Sequence, residues 1–233
     1  MQTDVIPRVI HTPDFALYSA RFIAEAAHAA IADRGVFRLG LSGGHTPRPV
    51  HEALAKIGDL AWEKIQITFG DERCVPPDDA DSNYRMARES LLDRVRIPAG
   101  NVFRIRGEID PEAAAREYET QLSAFAARFG EDRYRHDLLI LGLGEDGHTA
   151  SLFPGSPALA EAARNVIPNT GSKPPPQRIT MTFPLINASR HIVFLVNDAG
   201  KQPVIDEILA GSSSYPAARV RPVEGKLTWL LAH

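Results

Sequence analysis

Residues 138–141 read Leu-Leu-Ile-Leu between Asp137 and Gly142, and the chain then breaks into Gly-Leu-Gly-Glu-Asp-Gly-His-Thr-Ala-Ser-Leu-Phe-Pro-Gly, ending at Gly155. A strand with one wet face alternates apolar and polar residues. An unbroken apolar run this short reads as a strand covered on both faces, the kind found in parallel sheets flanked by helices. The polar cluster after it then lies at a strand's carboxyl end, the edge where open α/β sheets bind ligands. Glu145, Asp146 and His148 arrive there together.

The rest of the chain alternates in the same sense. Residues 5–10 suit an edge strand, with Pro7 arguing against a central place. Thr12-Pro13-Asp14 has the form of a helix start, and apolar residues recur at helical spacing from Phe15 to Ile31 until Gly35 stops them. Strands are predicted over 36–41, 62–69, 102–105, 178–182 and 191–196, with one or two more in 220–223 and 227–231. Helices are predicted over 48–57, 82–94, 110–129 and 197–209, with a short alanine helix after Pro157 and a stiff proline-rich loop over 169–177. The expected fold is α/β, a Rossmann-like open, mostly parallel sheet with helices on both faces, with residues 1–233 as a single domain.

Composition narrows the function classes. With 44% hydrophobic and 24% charged residues the chain is an ordinary globular one, and no apolar stretch approaches the roughly 18 residues of a membrane span. The net charge is −3 with Lys and Arg scattered, so no basic face for nucleic acid is expected and any anion site must be made locally. The amino terminus has no basic region and apolar core of a signal peptide, and one cysteine excludes an internal disulfide framework. A cytoplasmic location follows as the expectation.

Further polar segments sit beside predicted strand ends or helix starts. Ser42-Gly43-Gly44-His45-Thr46-Pro47 follows one strand and opens a helix, which offers backbone N–H groups and the hydroxyls of Ser42 and Thr46 to an anion; the alternative is a tight turn whose glycines only supply positive φ. No Gly-Lys-Ser/Thr ends it, so it is not a Walker loop. Gly70-Asp71-Glu72-Arg73 is either a substrate contact or a local ion pair. Ser82 caps the next helix, whose first turn carries Asn83, Tyr84 and Arg85 towards the same crevice. Lys201 lies near a helix amino terminus, where the dipole disfavours a cation unless an anion sits there too.

Two pattern matches are misleading. Gly40-Leu-Ser42-Gly-Gly44 fits the nucleophile elbow Gly-x-Ser-x-Gly, but it follows only one or two strands, and Asp146 and His148 are too close in sequence for an ordinary triad pair. Gly142-Leu-Gly144-Glu-Asp-Gly147 fits the dinucleotide fingerprint, but Pro154 and Gly155 interrupt the helix it would open and the acid about 20 residues on is missing. No nicotinamide cofactor is expected. Nor do the eight histidines approach His-Glu-x-x-His or another zinc spacing.

Across nearly its whole length the sequence resembles the 6-phosphogluconolactonases. The resemblance lies in Leu-Ser-Gly-Gly-His-Thr-Pro (41–47), Gly-Asp-Glu-Arg (70–73) with Asp81-Ser-Asn83, Leu-Gly-Leu-Gly-Glu-Asp-Gly-His-Thr-Ala-Ser-Leu-Phe-Pro (141–154) and Arg-Ile-Thr-Met-Thr (178–182). It implies the α/β fold shared with glucosamine-6-phosphate deaminases and ribose-5-phosphate isomerases, hydrolysis of 6-phospho-D-glucono-1,5-lactone in the oxidative pentose phosphate pathway, and no metal or organic cofactor. His148 would then be the general base, a task suited to an imidazole because its ordinary titration lies near neutral pH. Asp146 would orient it, Arg73 would contact substrate or oxyanion, and Asp71 would meet a hydroxyl. Ser42, Gly43, Gly44, Thr46, Lys201 and Arg178 would hold the phosphate. The partner expected is a phosphorylated sugar lactone, and the protein a monomer.

Two other readings compete. A sugar-phosphate deaminase resembles Ile-Ala-Phe-Asn-Glu-Pro after the loop histidine, whereas this chain has Thr149-Ala-Ser-Leu-Phe-Pro154. A non-catalytic sugar-phosphate sensor would have no need of a base, and no nucleic-acid-binding module accompanies the cradle.

Overall fold

The computed structural model describes residues 5–171 and 174–232. In chain order its strands and α-helices are β1 (Arg8–His11), α1 (Phe15–Arg34), β2 (Phe37–Leu41), α2 (Pro47–Leu54), β3 (Ile65–Phe69), β4 (Asp71–Arg73), α3 (Asn83–Ser90), α4 (Pro111–Ala127), β5 (Leu138–Leu141), β6 (Val166–Thr170), β7 (Gln177–Met181), α5 (Phe183–Ile186), β8 (His191–Val196), α6 (Gln202–Leu209) and β9 (Lys226–Leu231).

Six strands form one sheet in the order β1-β9-β8-β5-β2-β3, and every pairing in it is parallel. β2, β3 and β5 have no exposed residue, as their unbroken apolar runs require of strands sandwiched between layers. The sheet's other half is closed by Phe194 stacked on Trp229 at 4.1 Å between ring centroids. From β2 the chain adds β3 on one side, then crosses to place β5 on the other. The strand order therefore reverses between β2 and β5, and the loops leaving their carboxyl ends flank that crevice.

A second sheet, β4-β7-β6, is antiparallel; its middle strand β7 is the one expected over 178–182, whereas the sequence pattern predicts neither β4 and β6 nor the sheet itself. β4 is Asp-Glu-Arg, with no strand propensity, and β6 carries Pro168, tolerated because β6 is an edge of that sheet. β6 enters what reads as the proline-rich loop of 169–177, of which Ser172 and Lys173 lie outside the described residues.

Several other expectations are corrected. The first helix begins at Phe15, and the Thr12 N–H instead donates to the Leu231 carbonyl at 2.9 Å, prolonging the β1–β9 pairing. Residues 62–64 form a 3₁₀ turn ahead of β3, and α3 ends at Ser90 before another 3₁₀ turn over Leu92–Arg94. Residues 102–105 form no strand; Val102 makes an isolated bridge to Ile67. Residues 220–223 are likewise not a strand, since Asn187 takes the Arg221 and Val223 N–H groups. The alanines after Pro157 form a 3₁₀ turn. The stop at Gly35 and the cap at Ser82, which accepts from Arg85 N, are as expected, and Asp110 caps α4 by accepting from Ala113 N.

Candidate active site

The carboxyl ends of β8, β5, β2 and β3 lie side by side because those strands are parallel neighbours in that order. Each ends in a polar segment, and together these line a cleft of about 350 Å³ that includes Ser42, Gly43, Gly44, Thr46, Asp71, Arg73, His148 and Lys201. Four segments far apart in sequence thus meet because the sheet stacks their strand ends.

After β5 the chain folds into a tight loop. Gly144 N–H donates to the His148 carbonyl at 2.9 Å, Gly147 N–H to the Gly144 carbonyl at 3.0 Å, and the Thr149 hydroxyl to the Gly142 carbonyl at 2.9 Å. The His148 ring lies over Gly144, where a Cβ would stand 2.1 Å from Nδ1; a larger residue would displace the imidazole. Asp146 Oδ1 stands 2.5 Å from His148 Nδ1 and also accepts the His148 backbone N–H at 3.2 Å. Burial pushes the Asp146 carboxyl up, but the hydrogen bond and charge of His148 outweigh it and hold the group below the usual carboxylate range. An ionised Asp146 can only accept, so Nδ1 carries the proton and Nε2 is left as the basic nitrogen. Asp146 itself does not line the cleft; it acts on His148 from the side.

β4 separates neighbours by alternation. Successive strand residues face opposite ways, so Asp71 and Arg73 line the cleft while Glu72 does not. Glu72 instead accepts the backbone N–H groups of Arg73, Asn83 and Tyr84 at 2.8, 2.7 and 2.8 Å and the Ser82 hydroxyl at 3.2 Å, clamping the start of α3 to β4. Burial pushes its pKa up to about 7 against the pull of those N–H donors. Asp71 accepts from the Ser151 hydroxyl at 2.6 Å and from Asn83 Nδ2 at 3.0 Å. Arg73 donates to the Asp81 carbonyl at 2.6 Å through Nη1, and its buried Nε has no partner among the described residues.

On the opposite side, the Ser42 hydroxyl is buried with no partner among the described residues, so neither His148 nor another base is placed to activate it. The Thr46 hydroxyl donates to Asn197 Oδ1 at 2.9 Å, fastening the glycine loop to the segment after β8. Lys201 closes a 3₁₀ turn just before α6, faces the cleft, and has no carboxylate partner among the described residues. Arg178, like Asp146, does not line the cleft: it is 6% exposed and lies directly opposite the cleft-lining Arg73 in the β4–β7 ladder. Burial and the neighbouring Arg73 charge lower its pKa. Asn83 and Asn197 line the cleft, the first signalled by its place one residue after a helix cap, the second by nothing in the sequence. Among the described residues no group of three or more His, Cys, Asp or Glu side chains is placed to hold a metal ion.

The model of a family described as glucosamine-6-phosphate isomerases/6-phosphogluconolactonase matches residues 12–229. The chain belongs to this family. A 6-phosphogluconolactonase of Synechocystis is 47% identical over 206 residues, 87% of this chain and 84% of that protein, and the human 6-phosphogluconolactonase is 42% identical over 221 residues, 91% and 84%. Among solved structures, 6-phosphogluconolactonase from Trypanosoma brucei superposes with a TM-score of 0.85 at 32% identity, covering 97% of this chain and 96% of that one. Among the described residues no helix is long and apolar enough to cross a membrane.

Proposed function

We infer that this chain hydrolyses 6-phospho-D-glucono-1,5-lactone to 6-phospho-D-gluconate, the second step of the oxidative pentose phosphate pathway. The observation that carries the reading is His148, held by Asp146 at 2.5 Å, on the wall of a cleft that Lys201 and Arg73 also line. A base held in one tautomer, a cation for the oxyanion and a cation for the phosphate are what hydrolysis of a phosphorylated lactone by water needs.

In the proposed mechanism His148 Nε2 takes a proton from a water as its oxygen attacks the lactone carbonyl carbon. Asp146 offsets the charge of the imidazolium that forms. The carbonyl oxygen becomes an oxyanion, which Arg73 stabilises. When the tetrahedral species collapses, the bond from C1 to the ring oxygen breaks and His148 returns its proton to that oxygen, leaving the open-chain acid. Asp71 receives a sugar hydroxyl. Ser42, Gly43, Gly44, Thr46 and Lys201 hold the phosphate, and Arg178, opposite Arg73 on β7, adds positive potential beside it. Remote phosphate binding fixes the lactone carbonyl near the base, which is where such binding energy raises turnover. The protein is proposed to act as one domain over residues 1–233, as a cytoplasmic monomer, with no bound cofactor and no nucleic-acid partner. Its one cysteine, Cys74, is free.

The test is acid release from freshly made lactone by the EDTA-treated protein against the spontaneous background, with glucosamine 6-phosphate assayed in parallel for ammonia. Rapid acid release without ammonia is expected. Ammonia release would move the assignment to a deaminase, and binding of sugar phosphate without either product would make the chain a sensor.

A further inference from the structure

Gly43 has no room for a side chain. A Cβ there would stand 1.8 Å from Asn83 Oδ1 and 2.2 Å from Asn83 Cγ, so the Asn83 amide packs directly against the backbone of the glycine loop. The other end of the same amide donates through Nδ2 to the Asp71 carbonyl oxygen at 2.9 Å and to Asp71 Oδ1 at 3.0 Å. Those two bonds fix which end of the amide faces the loop. Asn83 is 2% exposed, and its backbone N–H is anchored to Glu72 Oε1 at 2.7 Å. Its Oδ1 has no hydrogen-bond partner among the described residues, a cost to stability that an apolar filler of the same space would avoid. A buried amide with one end spent on Asp71 and the other pressed unpaired on Gly43 is a spacer between two walls of the cleft.

The spacing it sets extends further. The second Asp71 oxygen takes the Ser151 hydroxyl at 2.6 Å, three residues beyond His148. Glycine loop, Asn83, Asp71, Ser151 and the His148 loop are therefore one connected row. We propose that Asn83 is a positioning residue that sets the anion loop and Asp71 at a fixed separation, and that residue 43 is glycine in order to admit it. The proposal rests on the lactonase reading for its turnover readout only.

The experiment is a double-mutant cycle of Gly43→Ala and Asn83→Ala, read by thermal midpoint, by calorimetric affinity for inorganic phosphate, and by kcat on 6-phosphogluconolactone. Gly43→Ala alone should lower the midpoint and weaken phosphate binding by roughly tenfold or more, the scale of coupling between contacting residues. Adding Asn83→Ala empties the space the new methyl needs, so the double variant should melt above Gly43→Ala and bind phosphate to within about threefold of the wild type. Turnover should stay about tenfold low in Asn83→Ala and in the double variant, because Asp71 has lost a donor in both. A general loss of structure would not separate affinity from kcat in this way. A double variant that melts and binds no better than Gly43→Ala would overturn the spacer, and Asn83→Ala with wild-type kcat would overturn the positioning of Asp71. A wild-type protein inert towards the lactone would count against the lactonase reading instead, leaving midpoint and phosphate affinity to judge the spacer.

Discussion

Replacing Asp146 by Asn tests how the His148 loop works. One carboxylate oxygen accepts both His148 Nδ1–H at 2.5 Å and the His148 backbone N–H at 3.2 Å. An Asn carbonyl can occupy that position and keep both bonds, whereas turning its NH₂ there would set it against the His148 backbone N–H, which can only donate, so the tautomer should survive. What is lost is the negative charge facing the imidazolium. A hydrogen bond to a charged group is worth about 1.5–3 kcal/mol, and the Asp146 side chain is 43% exposed, where solvent screening favours the lower end. About 1.5 kcal/mol corresponds to roughly a tenfold fall in kcat. Asp146→Ala also frees the ring to rotate and should cost more, about 100-fold. Stopped-flow acid release at saturating lactone gives both values. A kcat within twofold of wild type for Asp146→Asn, or an effect confined to KM, would refute the role of that carboxylate.

Other consequences follow from groups around and beneath the site. Lys201→Ala should weaken binding of 6-phosphogluconate by about 1.5–3 kcal/mol, the loss of one charge-assisted hydrogen bond, and an unchanged calorimetric Kd would place the phosphate elsewhere. Ser151→Ala leaves a buried Asp71 oxygen without its 2.6 Å donor and should cost about 1–3 kcal/mol of stability together with turnover, whereas wild-type behaviour in both would deny Asp71 its strut. His51, fully buried against the Ser90 hydroxyl at 3.0 Å, has its pKa lowered to about 4 by burial and then by Arg48. The unfolded chain takes up that proton below its ordinary 6.5 while the folded chain resists until about 4, so stability falls as pH drops through this window. Between pH 7 and 5 the loss is about 2 kcal/mol from this residue. His51→Leu should reduce the drop in thermal midpoint between those pH values by about 4–8 °C, and an identical drop would show that His51 is not the group responsible.

The parallel sheet was legible because its strands announce themselves: Leu138–Leu141 admits no wet face, and the glycines at 43–44 and 142–147 mark where chemistry-bearing turns leave it. The His148 loop and the cation at 201 could be read for the same reason, since turn residues and a cation at a helix amino terminus are local signals. What could not be read is set by contacts distant in sequence. β4 is three charged residues that become a strand only by pairing with β7, and the division of labour between Asp71 and Glu72 depends on that pairing. Arg178 looks like a phosphate ligand in sequence; its register opposite Arg73 puts it on the same face of the β4–β7 ladder, yet it is 6% exposed and does not line the cleft. The Asn83 and Ser151 bonds to Asp71 join residues 12 and 80 positions apart, which no local pattern encodes.

In the proposed mechanism His148 Nε2 is the base that activates water. The most direct measurement is kcat for His148→Ala on 6-phosphogluconolactone, with the Kd for 6-phosphogluconate taken on the same preparation. A lost general base predicts kcat lower by about 10²–10⁴-fold with Kd nearly unchanged. Near wild-type turnover by that variant would contradict the mechanism at its centre.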